Sequence, residues 1–122
     1  IGGLCHYLLP VASYDSSASR STSITKNDYR YADKVLAAMK SAMLKFAPLK
    51  EFELGVFGGG DMFAYSGATS IGFDNIAYVR QWLMQERLEP VRVDVGGAIS
   101  RSLTLTLTTG EIRVKQYHMN RD

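Results

Sequence analysis

The spacing of apolar residues along the chain predicts two helices. Within residues 29–47, apolar side chains recur every three or four positions and therefore share one helical face: Ala32, Val35, Leu36, Met39, Met43 and Phe46. Asn27 or Asp28 can cap the start of this helix, and Pro48 lies just beyond its end. A second helix is predicted from about residue 74 to residue 86, and its apolar face is formed by Ile76, Val79 and Leu83.

Shorter patterns predict strands. The apolar run 4–9, which Pro10 ends, is typical of a strand that is buried on both faces. Residues 52–63 predict a strand that enters a glycine-rich turn. Residues 91–97 alternate between apolar and polar positions, as a strand does, and end in paired glycines.

The last regular pattern, residues 101–115, predicts a hairpin that turns at Thr109-Gly110. One face of this hairpin is predicted to carry Leu103, Leu105 and Leu107 on the first strand and Ile112 and Val114 on the second. Strand-helix-strand units therefore come first and antiparallel pairing last, which favours an α+β fold with a mixed sheet covered by two helices. The serine- and threonine-rich stretch 13–28 has no apolar period and predicts a solvated loop.

Composition and charge exclude several function classes. A chain of 122 residues with 46% hydrophobic and 21% charged residues is typical of one globular domain. A formal charge of +2 is too small for a nucleic-acid-binding surface, and no apolar run is long enough for membrane insertion. A single cysteine fits a reducing, cytoplasmic setting. One cysteine and two separated histidines do not make a metal site, and no cofactor is expected.

The first candidate chemistry is the adjacent pair Cys5 and His6. Successive side chains of a strand project to opposite faces, so an extended segment would keep this thiol and imidazole apart. Cys5 is then best interpreted as a small apolar core residue. For His6, a core histidine and a functional histidine remain equally good interpretations.

Two glycine-rich corners are the second candidate. "FGGGD" (57–61) and "VGGA" (95–98) both follow predicted strands, and such loops expose backbone N–H groups that can bind a carbonyl oxygen or an anion. Neither corner matches a phosphate loop or a dinucleotide fingerprint. Plain turn chemistry explains them equally well, since glycine is the usual turn residue.

Six segments, in order, resemble the CheD family, the chemoreceptor glutamine deamidases of bacterial and archaeal chemotaxis. They are "GGLCHYLLP" at 2–10, "RYAD" at 30–33, "VFGGG" at 56–60, "IGFDN" at 71–75, "DVGG" at 94–97 and "TGEIRVK" at 109–115. The resemblance covers nearly the whole chain. It implies an α/β sandwich similar to the catalytic domain of the cytotoxic necrotizing factor toxins.

The resemblance also implies a thiol mechanism that converts receptor glutamines to glutamates. The family's histidine carries over to His6, which would keep a cysteine as thiolate and protonate the departing ammonia. The substrate or oxyanion loops would be formed by Gly58, Gly59, Gly60, Gly96, Gly97 and Ser100. Chemoreceptors would be the protein substrate, and a CheC-type phosphatase a further partner.

One departure from the family pattern concerns the nucleophile. The family's cysteine lies in a glycine-serine-cysteine motif upstream of the histidine, and Cys5 stands at a different position, where a small residue is usual. We therefore expect 1–122 to be a single CheD-like domain that is incomplete at its amino terminus and inactive alone. Two alternatives remain: a binding module that regulates a CheC-type phosphatase, and a hydrolase that uses Cys5 and His6 directly.

Overall fold

Two α-helices and four strands form the regular structure of this computed structural model, together with one short 3-10 helix; the structure describes residues 1–11, 28–61 and 70–118. In chain order the elements are α1 (Ala32–Leu44), the 3-10 helix Leu49–Glu51, β1 (Gly55–Gly58), α2 (Ile71–Glu86), β2 (Arg92–Val95), β3 (Ile99–Leu105) and β4 (Ile112–His118). The loop predicted at 13–28 lies outside the described residues except for Asp28, as do positions 62 and 63 of the predicted strand. No helix of the described part is long and apolar enough to cross a membrane.

Helix α1 confirms the predicted apolar face with one exception. Ala32, Val35, Leu36 and Met43 are buried, whereas Phe46 is 65% exposed. Phe46 was wrongly placed on this face because the helix ends at Leu44 and the chain then turns away.

The start of α1 differs from the prediction. Its first turn follows Tyr31, which makes no side-chain capping bond. The carboxylate of Asp28 instead pairs with the guanidinium of Arg30 at 2.7 Å, so capping by Asp28 is wrong; Asn27 lies outside the described residues.

Helix α2 begins at Ile71, earlier than the sequence pattern indicates. The Ser70 hydroxyl accepts a 2.9 Å hydrogen bond from the Phe73 N–H and so satisfies one of the free donors of the first turn. The predicted face is confirmed, since Val79 and Leu83 are buried and Ile76 is half-buried.

The core lies between the two helices and one side of the amino-terminal segment. Its buried cluster is Ala32, Val35, Leu36, Val79 and Leu83. Half-buried side chains pack around that cluster: Cys5, Tyr7, Leu54, Val56, Tyr78, Trp82 and Leu88. An ion pair of 2.7 Å between Lys40 and Glu86 joins the two helices at the edge of this core.

The strands form two separate two-stranded sheets. β1 and β2 pair in parallel, with Gly55 opposite Arg92 and Gly58 opposite Val95. β3 and β4 pair antiparallel, so the α+β class and its mixture of pairings are confirmed, although the two pairings do not share one sheet.

The hairpin confirms the predicted apolar face for two of its three leucines. Leu103 lies opposite Val114 and Leu105 opposite Ile112. Leu107 does not continue this face, because β3 ends at Leu105, and it is 63% exposed in the connection.

Residues 4–9 do not form the strand that the apolar run predicts. The described residues give this segment a single bridge, from Leu9 to Tyr31, and no ladder. Burial on both faces is also wrong: Leu4 and Leu8 are 59% and 54% exposed, whereas Cys5 and Tyr7 pack against the core. Only one side of the segment meets the helices, so only that side is covered.

Candidate functional site

The amino-terminal segment is attached to the first turns of α2 by two hydrogen bonds. The Tyr7 hydroxyl donates to the backbone carbonyl of Asn75 at 2.7 Å. The Asn75 side-chain Nδ2 in turn donates to the backbone carbonyl of Leu8 at 2.9 Å. Because both bonds meet at Asn75, they fix the chain immediately after His6.

His6 lies on the exposed side of this segment, and Cys5 lies on the side that packs against the core. A core histidine is therefore excluded. Burial raises the pKa of the Cys5 thiol above its ordinary value, which disfavours the thiolate that a nucleophile needs. The structure does not bring Cys5 and His6 together as a catalytic pair.

The first glycine corner, Gly58–Gly60, follows β1 and packs closely against its surroundings. Gly58 and Gly59 have φ of 112° and 65°, a region that side chains rarely enter. A Cβ on Gly59 would overlap the Ile76 side chain, and a Cβ on Gly60 would overlap the carbonyl of Ile99. The corner therefore requires glycine for space as well as for backbone conformation.

The second corner, Gly96–Gly97, follows β2 and is joined to the first. Its glycines have φ of 81° and 73°. The Gly96 N–H donates to the Gly58 carbonyl at 2.8 Å, and the Asp61 N–H donates to the Gly97 carbonyl at 2.8 Å. The two corners thus extend the pairing of β1 with β2 beyond the ends of the strands.

One face of α2 supports all three segments. Residues three and four apart on a helix are neighbours, so Gly72, Asn75 and Ile76 lie together. A Cβ on Gly72 would overlap the carbonyl oxygens of Gly59 and Gly60, and Ile76 lies within 4.0 Å of the Cβ position of Gly96. The same helical turns that hold the His6 segment through Asn75 therefore also hold both glycine corners.

The corners offer unused hydrogen-bond donors. In the part of the chain that the structure describes, the N–H groups of Gly59, Gly60 and Gly97 donate to no protein acceptor. Such amides are suited to a carbonyl oxygen on which negative charge develops. Among the described residues, no group of three or more His, Cys, Asp or Glu side chains could hold a metal ion.

Sequence comparison assigns the chain to a known family. The family model described as "CheD chemotactic sensory transduction" matches residues 8–116. The chain belongs to the CheD family. The match begins two residues after His6 and so does not extend to that histidine.

Two curated relatives of this CheD-family chain share a name. "Probable chemoreceptor glutamine deamidase CheD" of Paraburkholderia xenovorans (strain LB400) is 29% identical over 123 residues, covering 100% of this chain and 47% of that protein. The protein of the same name from Burkholderia mallei (strain SAVP1) is 32% identical over 117 residues, 95% of this chain and 48% of that protein. The chain thus spans about half the length of the curated relatives it matches.

Ser100, a predicted site residue, does not share the inward side of β3 with its neighbours. It lies on the exposed side of β3, whereas its neighbours Ile99 and Arg101 face inward. A role for Ser100 in the site stays a prediction.

The sequence patterns missed Arg101, which connects the two corners of this CheD-family chain. Its side chain is only 5% exposed and donates to the carbonyls of Gly58 and Gly96 and to the Asp94 carboxylate. A signal was present: Arg101 has the same strand parity as Leu103 and Leu105, which places a charge on the inward face of the hairpin.

Asn75 was missed as well, since a polar residue within an amphipathic helix gives no sign of a partner 67 residues away. Its role is visible only once the amino-terminal segment has been placed against α2.

Proposed function

We propose that this chain is the histidine-bearing part of a chemoreceptor glutamine deamidase, whose cysteine nucleophile lies upstream of Ile1. The observation that carries the proposal is the common support that α2 gives to an exposed His6 and to two glycine corners with unused amides. Family membership and the names of the relatives support the reaction class. The setting we propose is the cytoplasm, with chemoreceptors as substrates.

In the proposed reaction, His6 accepts the thiol proton of the cysteine and leaves a thiolate. The thiolate attacks the side-chain amide carbon of a receptor glutamine and gives a tetrahedral oxyanion. Unused N–H groups of the glycine corners stabilise that oxyanion. The imidazolium of His6 then protonates the amide nitrogen, which leaves as ammonia, and a thioester remains.

In the second half of the reaction, His6 acts as a general base toward water. His6 removes a proton from a water molecule, which attacks the thioester carbon, and the thiolate leaves. Return of this proton from the His6 imidazolium to the thiolate restores the thiol and the neutral imidazole. The net reaction adds one water to the glutamine amide and releases glutamate and ammonia. No metal or cofactor takes part in these steps.

Cys5 has no part in the proposed reaction. It faces the core on the side of the segment opposite His6, and burial raises the pKa of its thiol, which disfavours the thiolate. Its position between the segment and the core makes it a packing residue.

The proposal is tested with the protein purified at its natural length. Its intact mass is compared first with the 13.5 kDa of this chain, because a larger mass is expected if the nucleophile lies upstream. The protein is then incubated with a receptor cytoplasmic fragment. Mass spectrometry of the receptor peptides measures the mass gain that occurs when the NH₂ group of a glutamine amide is replaced by OH.

Deamidation of defined receptor glutamines, with ammonia release, is the expected result. Binding to the receptor fragment or to a CheC-type phosphatase without any conversion would overturn the enzymatic proposal. That result would favour the alternative of a regulatory binding module.

A further inference from the structure

Arg101 joins parts of the chain that lie far apart in the sequence. Its Nη1 donates to the Gly58 carbonyl at 3.3 Å, and its Nη2 donates to the Gly96 carbonyl at 2.9 Å. Nη2 also lies 3.2 Å from Oδ1 of Asp94, near the end of β2. One buried guanidinium thus holds the ends of β1 and β2 and both glycine corners.

The guanidinium is itself held in one orientation. Asp94 pairs with it through Oδ1 and accepts a 2.9 Å hydrogen bond from Gln116 of β4 through Oδ2. The bonds from Gln116 and Arg101 lower the pKa of the Asp94 carboxyl, which favours its charged form. A planar fork of fixed donors suits this set of acceptors, and a lysine ammonium cannot reproduce it.

The Gly58 carbonyl shows how closely the corners depend on Arg101. It accepts one hydrogen bond from the Gly96 N–H at 2.8 Å and a second from Arg101. The direction of the Gly58 peptide decides where the next N–H group, that of Gly59, points. A shift in this peptide therefore moves an amide that the proposed reaction uses.

We propose that Arg101 is a positioning residue for the deamidation reaction, because it holds the Gly58 and Gly96 carbonyls and so sets the directions of the unused Gly59 and Gly97 amides in the same two peptides. This inference rests on the proposed function. Arg101 acts through the corners, since its side chain is only 5% exposed and both of its terminal nitrogens donate to acceptors within the protein.

The test uses the protein at its natural length, substitutions of Arg101 and a matched control. Arg101→Met removes the donors and keeps an apolar stem, and Arg101→Lys keeps the charge without the fork. Arg113→Met is the matched control, because Arg113 lies on the same hairpin but is 77% exposed and pairs with Glu111 at the surface. Circular dichroism and thermal unfolding establish that each variant is folded.

Losing an oxyanion donor costs about 10²–10³-fold in kcat, so we expect a loss of that order in Arg101→Met with KM changed by only a few-fold. Arg101→Lys is expected to fall between Arg101→Met and wild type, and Arg113→Met to match wild type. In a further variant, Arg101→Ala, added guanidinium ion should partly restore kcat and should leave the control unchanged. A merely structural role would give neither the split between kcat and KM nor the rescue.

Folded Arg101→Met or Arg101→Lys with wild-type kcat would overturn the inference. If Arg101→Met does not fold, Arg101→Lys and the guanidinium rescue decide the question. If wild type shows no deamidation, the proposed function fails and the positioning role of Arg101 fails with it. Amide hydrogen exchange separates the two cases. Faster exchange of the Gly96 N–H in Arg101→Lys shows that Arg101 holds the two corners together, and unchanged exchange shows that it does not.

Discussion

The Tyr7 hydroxyl donates a 2.7 Å hydrogen bond to the backbone carbonyl of Asn75, 68 residues further along the chain. The Asn75 side chain returns a bond to the residue that follows Tyr7. This reciprocal contact couples the His6 segment to α2, and α2 also carries the contacts to both glycine corners. A substitution of Asn75 should therefore change how firmly His6 is held, without altering any proposed reacting group.

Asn75→Asp tests this coupling, since the carboxylate keeps the shape of the amide and cannot donate to the Leu8 carbonyl. Losing the bond should destabilise the fold by about 1 kcal/mol, and the looser histidine should lower kcat by about tenfold or more. Gln85→Glu, an exposed amide-to-acid change on the same helix, is the control. Equal kcat values for the two variants would contradict the coupling.

The fold should lose stability at alkaline pH through Tyr7. Burial, with smaller contributions from Cys5 and Tyr78, raises the Tyr7 pKa from 10.0 to about 12. The native state therefore keeps a proton that the unfolded chain releases, and the free energy of unfolding falls as pH rises from about 10 to about 12.

Tyr7→Phe removes this titration together with the hydrogen bond to Asn75. The stability difference between wild type and Tyr7→Phe should be constant below pH 10 and shrink above it. Chemical denaturation at stepped pH measures this difference. A difference that stays constant up to pH 12 would show that Tyr7 has no raised pKa.

Cys5 should behave as an unreactive thiol. Its raised pKa and its contact with the core predict alkylation by iodoacetamide at neutral pH more slowly than a free thiol such as glutathione. Mass spectrometry of the Cys5 peptide against time measures the rate. Alkylation faster than that of glutathione would revive a role for Cys5 beside His6.

The glycine corner should not tolerate even one methyl group. In Gly60→Ala, the new Cβ would meet the carbonyl of Ile99, and relieving this overlap should cost about 1–3 kcal/mol. Gly3→Ala is the matched control, because its Cβ would meet nothing within 4 Å and should change stability by less than about 0.5 kcal/mol. Thermal unfolding of both variants decides; equal midpoints would mean that the corner is not closely packed.

The helices could be predicted from the sequence because their apolar faces repeat with the helical period and pack on each other. Val79 and Leu83 show this most clearly, since the predicted positions are the buried ones. The segment 4–9 could not be predicted in the same way. Its apolar run indicates burial but does not show which sides have neighbours, and in the structure only the side of Cys5 and Tyr7 has them.

The candidate site was predicted in part. The glycine corners and His6 follow from sequence patterns and family resemblance, whereas the contacts that organise them join distant residues. Arg101 reaches Gly58 across 43 positions, and Asn75 reaches Leu8 across 67. Short sequence patterns cannot predict such pairs, because the partners are brought together only when β1, β3 and α2 pack in the folded chain.

The central claim is that His6 supplies the proton-transfer group of a deamidase site. It is tested most directly by comparing His6→Ala with His118→Ala in the protein at its natural length, since His118 is also exposed but lies at the end of β4. The measurement is the initial rate at which receptor glutamines become glutamates, followed by mass spectrometry. The account predicts a loss of about 10²-fold or more for His6→Ala and a wild-type rate for His118→Ala. A His6→Ala protein that is folded and deamidates at the wild-type rate would contradict it.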